Sequence, residues 1–218
     1  MSKISVLMSV YKKENPEYLR ASLESILVQT RTADEILLIE DGPLTQELYQ
    51  VVAEYQKKCD YLHVHAMEQN VQLGRALAKG VELCQYDLIA RMDTDDIAMP
   101  DRLEKEGAYM EAHPEVDVVG GAIREFNDEG TIDRVKNMPK TQEAILEYVK
   151  VRNPLNHMTV MYRKDSILKA GNYKHFPFLE DYSLWSRMLS QGYQFRNMED
   201  ILCLLYTSPS PRDLSTSR

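Results

Sequence analysis

The chain predicts an α/β protein: a mostly parallel central sheet flanked by helices, with a smaller β-ribbon in its second half. Three observations carry that expectation. Short apolar runs such as ISVLMSV (residues 4–10) and EILLI (35–39) have the composition of strands covered on both faces. Each is followed by a segment with apolar residues at helical spacing, and that rhythm implies parallel strands joined by right-handed crossovers. An acidic cluster, Asp93-Thr94-Asp95-Asp96, then falls where an apolar run has stopped and a helix has yet to start.

After the first strand, Asn15-Pro16-Glu17 opens a helix, with Asn15 as cap, Pro16 in the first turn and Leu19, Leu23, Ile26 and Leu27 on one face. Residues 46–58 form a second helix with Leu48, Val51, Val52 and Tyr55 inward, and YLHVHA (61–66) is a third strand. Residues 70–73 are a loop and 74–83 a third helix. Leu88, Ile89, Ala90 and Met92 form the apolar run before the acids. Pro100 suits the first turn of a helix over 101–113, whose positive end favours Asp101 and Glu104.

VDVVGGAIREF (116–126) predicts a strand with a bulge or close backbone approach at Gly120-Gly121. Asn127-Asp128-Glu129-Gly130 reads as a hairpin turn, with residues 131–135 as the return strand. A capped helix follows over 141–149, then a loop (153–156), a strand (158–162) and a polar, aromatic loop (171–177). A helix over 178–191 carries Glu180-Asp181 in its first turn, and 193–198 is the final strand. Residues 203–213, CLLYTSPSPRD, resemble one reading frame of a sequencing adapter. Residues 203–218 are therefore set aside as a non-native tail. The remainder, 1–202, is expected to be one domain, with a nucleotide-binding half (1–100) and an acceptor half (101–202).

At 218 residues the chain can bury a sizeable core, and its 44% hydrophobic and 28% charged content are those of a soluble globular protein. With 26 basic and 34 acidic residues the net charge is −8, which argues against a nucleic-acid partner. Cys59, Cys84 and Cys203 have neither disulfide-framework nor zinc spacing. No signal peptide or spanning segment is evident, so the expected location is cytoplasmic.

In a sheet of this kind ligands sit beyond the carboxyl ends of the strands. Tyr11, Asp41 and the Asp93 cluster all fall there, from three separate strands. Residues i and i+2 of an extended segment point the same way, so Asp93 and Asp95 can face one point. Close carboxylates repel unless one is protonated or a cation lies between them. Oxygen-only ligands suit Mg²⁺ or Mn²⁺. Arg75 adds a cation near a helix N-terminus, where phosphate is also favoured. Each residue taken singly has a plainer reading: Tyr11 as a rim aromatic, Asp41-Gly42-Pro43 as a turn, Arg75 as a solvated helix residue, Glu180-Asp181 as dipole complements and His157 as a structural histidine.

Four stretches taken together, ISVLMSVY, EILLIEDG, NVQLGRALAKGVELCQYDLIARMDTDDIAMPDRL and FLEDYSLWSRML, resemble the family 2 glycosyltransferases of GT-A fold, in family order from Ile4 to about Leu189. The resemblance is strongest to bacterial enzymes that assemble capsular or extracellular polysaccharide. It implies a UDP- or GDP-type sugar donor, a glycan or lipid-linked acceptor, and a divalent cation.

It further implies that Tyr11 stacks near the base, Asp41 hydrogen-bonds it and Arg75 lies beside the phosphates. Asp93 would approach the ribose or metal, Asp95 would bind the metal, and Ser9 and Thr94 join the nucleotide-sugar-binding set. Asp181 would be the general base of an inverting transfer, with His157 and Glu180 near the acceptor or donor sugar. A lipid-linked acceptor would bring the protein to the inner membrane face.

Ser9 stands where the family often has Pro, and Pro43 where it has Ser. No Q-x-x-R-W motif follows Glu180-Asp181, which implies a non-processive enzyme. Two other readings compete. One is a sugar-phosphate nucleotidyltransferase, whose Gly-rich loop has no counterpart at Ser9-Val10-Tyr11-Lys12-Lys13. The other is a truncated domain that binds nucleotide without turnover.

Overall fold

The computed structural model describes residues 1–127 and 133–206. The first apolar run forms β1 (Ile4–Val10), and Asn15 caps α1 (Pro16–Leu27) by accepting the Glu17 N–H at 2.9 Å. Such a cap is worth about 1 kcal/mol. Then come β2 (Glu35–Glu40), α2 (Gln46–Lys58) capped by Thr45, β3 (Leu62–Ala66), α3 (Leu73–Leu83) and β4 (Leu88–Met92). The four strands pair in the order β3-β2-β1-β4, all parallel, with Val6 opposite Ile36 on one side and Ala90 on the other. This half of the molecule is as the alternation predicted.

Strand residues alternate between two cores. Val6, Met8, Ile36 and Leu38 face α1 and α2, where Leu19, Leu23, Leu48 and Val52 are buried. Leu7, Leu37, Ile39 and Ile89 face the opposite way, against Leu77 and Val81 of α3. Each such side chain contributes about 1.5–3 kcal/mol when fully buried, so the two faces together supply most of what holds this half in place.

The second half extends the sheet with mixed polarity. It comprises β5 (Asp96–Ala98), α4 (Arg102–Ala112), β6 (Val118–Phe126), β7 (Asp133–Lys136), α5 (Gln142–Tyr148), β8 (Met161–Arg163), α6 (Lys164–Lys169), α7 (Glu180–Ser190) and β9 (Phe195–Tyr206). The full order is β3-β2-β1-β4-β8-β6-β9-β5. The predicted ribbon is the antiparallel pair β6–β7, and the Gly120-Gly121 irregularity is a register shift against β9 between Gly120 and Ala122. The predicted turn and return strand fall partly on residues 128–132, outside the described residues.

Four expectations need correcting. Residues 158–162 are not one strand: His157–Thr159 is a 3-10 turn, and β8 begins only at Met161. The Thr159 N–H and hydroxyl both donate to Asn156 O, at 3.0 and 2.8 Å, closing a turn where β-branched composition suggested a strand. The acids do not lead straight to the next helix, because Asp96 begins a further short strand, β5. The short helix α6 was not anticipated, having too few residues to display a period. The last strand does not stop at 198: it runs through Leu202 and the fully buried Cys203 to Tyr206, pairing with β6 and β5. Residues 203–206, set aside as tail, are therefore part of the sheet; 207–218 lie outside the described residues. No helix among the described residues is long and apolar enough to cross a membrane.

Candidate active site

Where β1, β2 and β4 end, a cavity of about 470 Å³ opens. Tyr11 follows β1, Asp41 follows β2, and Asp93, Thr94 and Asp95 follow β4; all five line it, with Ser9. Its far wall is the start of α3 and the loop before α7, including Phe176, Phe178 and Glu180. The two parts of that wall meet at Gly74, where a Cβ would lie 2.5 Å from Lys174 O and 3.0 Å from Glu180 Cβ.

Asp41 is buried and organises the floor. Its Oδ1 accepts the Val71 N–H at 2.6 Å and its Oδ2 the Asn70 amide at 2.9 Å, pinning the β3–α3 loop to the end of β2. Gly42 follows at φ +83°, a conformation costly for any residue with a Cβ, and there a Cβ would meet Asn70 N at 2.5 Å. Burial raises the Asp41 carboxyl above its usual range, opposed by the N–H groups of Val71 and Gln72. Thr94 is buried and donates to Glu14 Oε2 at 2.7 Å, which ties α1's leading loop to the acidic cluster.

Arg91, near the end of β4 and 2% exposed, directs both terminal nitrogens at the two carboxylate oxygens of Asp93. Asp93, Asp95 and Asp96 each offer an oxygen within 4.8 Å of the others. Asp95 opens to solvent, yet protein crowding and then the charges of Asp93 and Glu14 push its carboxyl up to about 6. Asp96 is buried, and neither of its oxygens has a hydrogen-bond partner. Burial, then Asp93 and Asp95, drive its carboxyl far above the ordinary range. Three close carboxylates, one without partners, could hold a hard divalent cation. No lysine or arginine lines the cavity among the described residues. A pyrophosphate entering it would meet mainly acids unless a cation came with it.

The opposite wall carries Glu180 and Asp181 in the first turn of α7. Glu180 lines the cavity, whereas Asp181 lies behind it, nine-tenths buried. Burial raises both carboxyls. Asp181 accepts from Asn153 Nδ2 at 2.5 Å, and His157 Nδ1 stands 3.9 Å from the same oxygen. His157 Nε2 pairs with the Tyr173 hydroxyl at 3.0 Å, and burial holds the ring far below its usual pKa, hence neutral.

Of the residues singled out in the sequence, Ser9, Tyr11, Asp41, Asp93, Thr94, Asp95 and Glu180 meet at one cavity, and Asp181 and His157 sit behind its wall. Arg75 does not: it is exposed and is not among the lining residues. Helix α3 instead turns Gln72, Leu73 and Gly74 to the cavity. Sequence reasoning passed over Arg91, Asn153 and Glu14, and it gave Asp96, though part of the acidic cluster, no role of its own. Arg91 had a signal, being a lone charge inside an otherwise apolar strand.

A parallel α/β sheet with an acidic cavity at its strand ends, extended by a mixed-polarity half, is the architecture of the GT-A glycosyltransferases. The crystal structure of S. aureus TarS 1–349 in complex with UDP-GlcNAc superposes with a TM-score of 0.77 at 19% identity, over 99% of this chain and 62% of that one. The mannosyltransferase PcManGT from Pyrobaculum calidifontis, in complex with GDP-Man and Mn²⁺, gives 0.74 at 13% identity, over 96% and 58%.

In sequence, the chain is 44% identical over 198 residues to the amylovoran biosynthesis glycosyltransferase AmsE of Erwinia amylovora, covering 91% of this chain and 74% of the relative. It is 34% identical over 206 residues to the UDP-Gal:alpha-D-GlcNAc-diphosphoundecaprenol beta-1,3-galactosyltransferase of Escherichia coli, covering 92% and 72%. The family model described as glycosyl transferase family 2 matches residues 5–174. The chain belongs to that family and is a glycosyltransferase.

Proposed function

We propose that this chain transfers a sugar from a nucleoside-diphosphate sugar to a hydroxyl of a glycan or lipid-linked acceptor, with inversion and without processivity, in polysaccharide assembly. The observation that carries the reading is the cavity's charge: Glu14, Asp41, Asp93, Asp95 and Glu180 line it, and no lysine or arginine does among the described residues. Its relatives act in amylovoran biosynthesis and on a diphosphoundecaprenol-linked sugar.

In this reading Tyr11 stacks near the base and Asp41, already fixed by Asn70 and Val71, receives its hydrogen bonds. Ser9 and Thr94 flank the donor. Asp95, with Asp93 and Asp96, would hold Mn²⁺ or Mg²⁺, which as a Lewis acid offsets charge growing on the departing diphosphate. Asp181 takes the proton of the acceptor hydroxyl as it attacks the anomeric carbon, a contribution of about 10²–10⁴-fold. A single displacement inverts the anomeric centre without a covalent intermediate. Glu180 and the neutral His157 border the acceptor side. The first turn of α7 and its leading loop supply that wall, and a lipid-linked acceptor would bring the protein to the inner membrane face.

Calorimetry with UDP, GDP and their sugars, with and without Mn²⁺, tests the reading. Binding should require the metal and vanish in Asp95→Ala. Asp181→Asn should bind the donor normally and lose transfer. If it kept turnover while Glu180→Gln lost it, the base would lie one residue earlier. Absence of affinity for every nucleoside diphosphate would sink the proposal.

A further inference from the structure

Asp181 is tied down by a residue from a distant part of the chain. The loop after α5 brings Asn153 Nδ2 within 2.5 Å of Asp181 Oδ2, while Oδ1 accepts the Tyr182 N–H at 2.6 Å. The Asn153 amide is oriented in turn, because its Oδ1 accepts the Leu155 N–H at 3.3 Å. With the oxygen committed to that N–H, the amide nitrogen is left to face Asp181.

The other groups around this carboxylate do a different job. His157, from the 3-10 turn, stands 3.9 Å away, too far for a hydrogen bond, and is neutral. Tyr173, from the loop after α6, spends its hydroxyl on His157 and is kept protonated by burial. Arg91 of β4 attracts Asp181 through space while its terminal nitrogens engage Asp93. Glu180, on the same helix, opposes it. Among the described residues, Asn153 is the one side chain that donates a hydrogen bond to Asp181.

We propose that Asn153 is a positioning residue for Asp181, holding its carboxylate in place and ionised so that it can accept a proton. The proposal rests on the reading of Asp181 as general base. A hydrogen bond to the charged form of a buried acid favours that form, and an amide donates without itself titrating.

The test follows the Asp181 carboxyl directly by ¹³C NMR in protein labelled at aspartate carboxyls, its signal identified by its loss in Asp181→Asn. In Asn153→Ala the titration midpoint should move up by about one pH unit, a proton held about tenfold more tightly. Asn153→Asp, which sets a second carboxylate against the first, should move it further. An unchanged midpoint in both variants overturns the proposal. The same preparations should bind UDP or GDP with Mn²⁺ within about twofold of the parent; a parallel loss of that affinity would make Asn153 a structural residue and overturn it equally. Turnover of UDP-galactose or UDP-GlcNAc by Asp181→Asn is scored separately. Retained turnover removes the base reading, whereas the titration still reports whether Asn153 controls this carboxyl.

Discussion

Arg91 and Asp93, two residues apart at the end of β4, face each other as a fork on a carboxylate, with the arginine buried and the acid at the cavity. The pair places a full positive charge beneath three clustered acids. Removing only the arginine would leave Asp93 uncompensated beside Asp95 and Asp96. Arg91→Met should therefore cost about 3–5 kcal/mol in urea unfolding. Arg91→Lys should recover part of that, because an ammonium is a point charge and cannot make the paired contact. Equal stability of Arg91→Met and the parent would show the pair to be neutral.

The acids themselves set a pH dependence for the metal. Asp95 is poised at about 6 and Asp96 far above the ordinary carboxylate range, so a cation must displace protons to bind. Metal-dependent nucleotide affinity should weaken as pH falls through 6. Titrations of Mn²⁺ in buffers of different ionisation enthalpy should reveal proton release at neutral pH, reduced in Asp96→Asn. Without metal, the raised Asp96 carboxyl stabilises the fold most at low pH and loses that contribution as pH rises.

A second buried pair lies behind the site. Arg102 Nε donates to Glu106 Oε2 at 2.8 Å, both side chains being fully buried, and Arg102 also donates to Arg91 O at 2.8 Å. Burial raises the Glu106 carboxyl to about 7 despite its partner. A raised folded-state pKa gives stability that is complete below the usual value of 4.5 and lost as pH climbs through 7. Glu106→Gln should remove that loss. Its stability relative to the parent should grow between pH 4.5 and 7, by at most about 3 kcal/mol in urea titrations. A constant difference across that window would contradict the assignment.

Phe178 is 94% exposed at the cavity mouth and sits at φ +65°, a conformation that costs a residue with a Cβ about 1–2 kcal/mol. Phe178→Gly relieves that strain and removes almost no buried surface. Its melting temperature should equal or exceed the parent's. A fall of several degrees would mean that the ring packs against the protein in solution.

Much of the acidic cavity was legible in the sequence. The strand ends that carry Tyr11, Asp41 and Asp95 follow from buried strands at βα spacing, because parallel crossovers bring successive carboxyl ends to one edge. The second half of the chain was less legible. Thr159 looked like part of a strand because β-branched residues suit strands, yet its hydroxyl closes a turn. Cys203 and Leu204 looked like tail because the residues after them are rich in Ser and Pro. They are nonetheless paired with Ile97 and Ala98 of β5. Arg75 looked like a phosphate contact from its place near a helix start, but the helix turns it outward.

The sequence by itself determined the alternation of buried strands and capped helices, the sheet edge at which the acids collect, and the family to which the chain belongs, since periodicity and local motifs are properties of neighbouring residues. Only the tertiary structure decided that Arg91 engages Asp93, that Asp96 is buried without a partner, and that Asn153 holds Asp181. Those outcomes depend on desolvation and on contacts between residues up to tens of positions apart, and neither quantity is written in any single stretch of the chain.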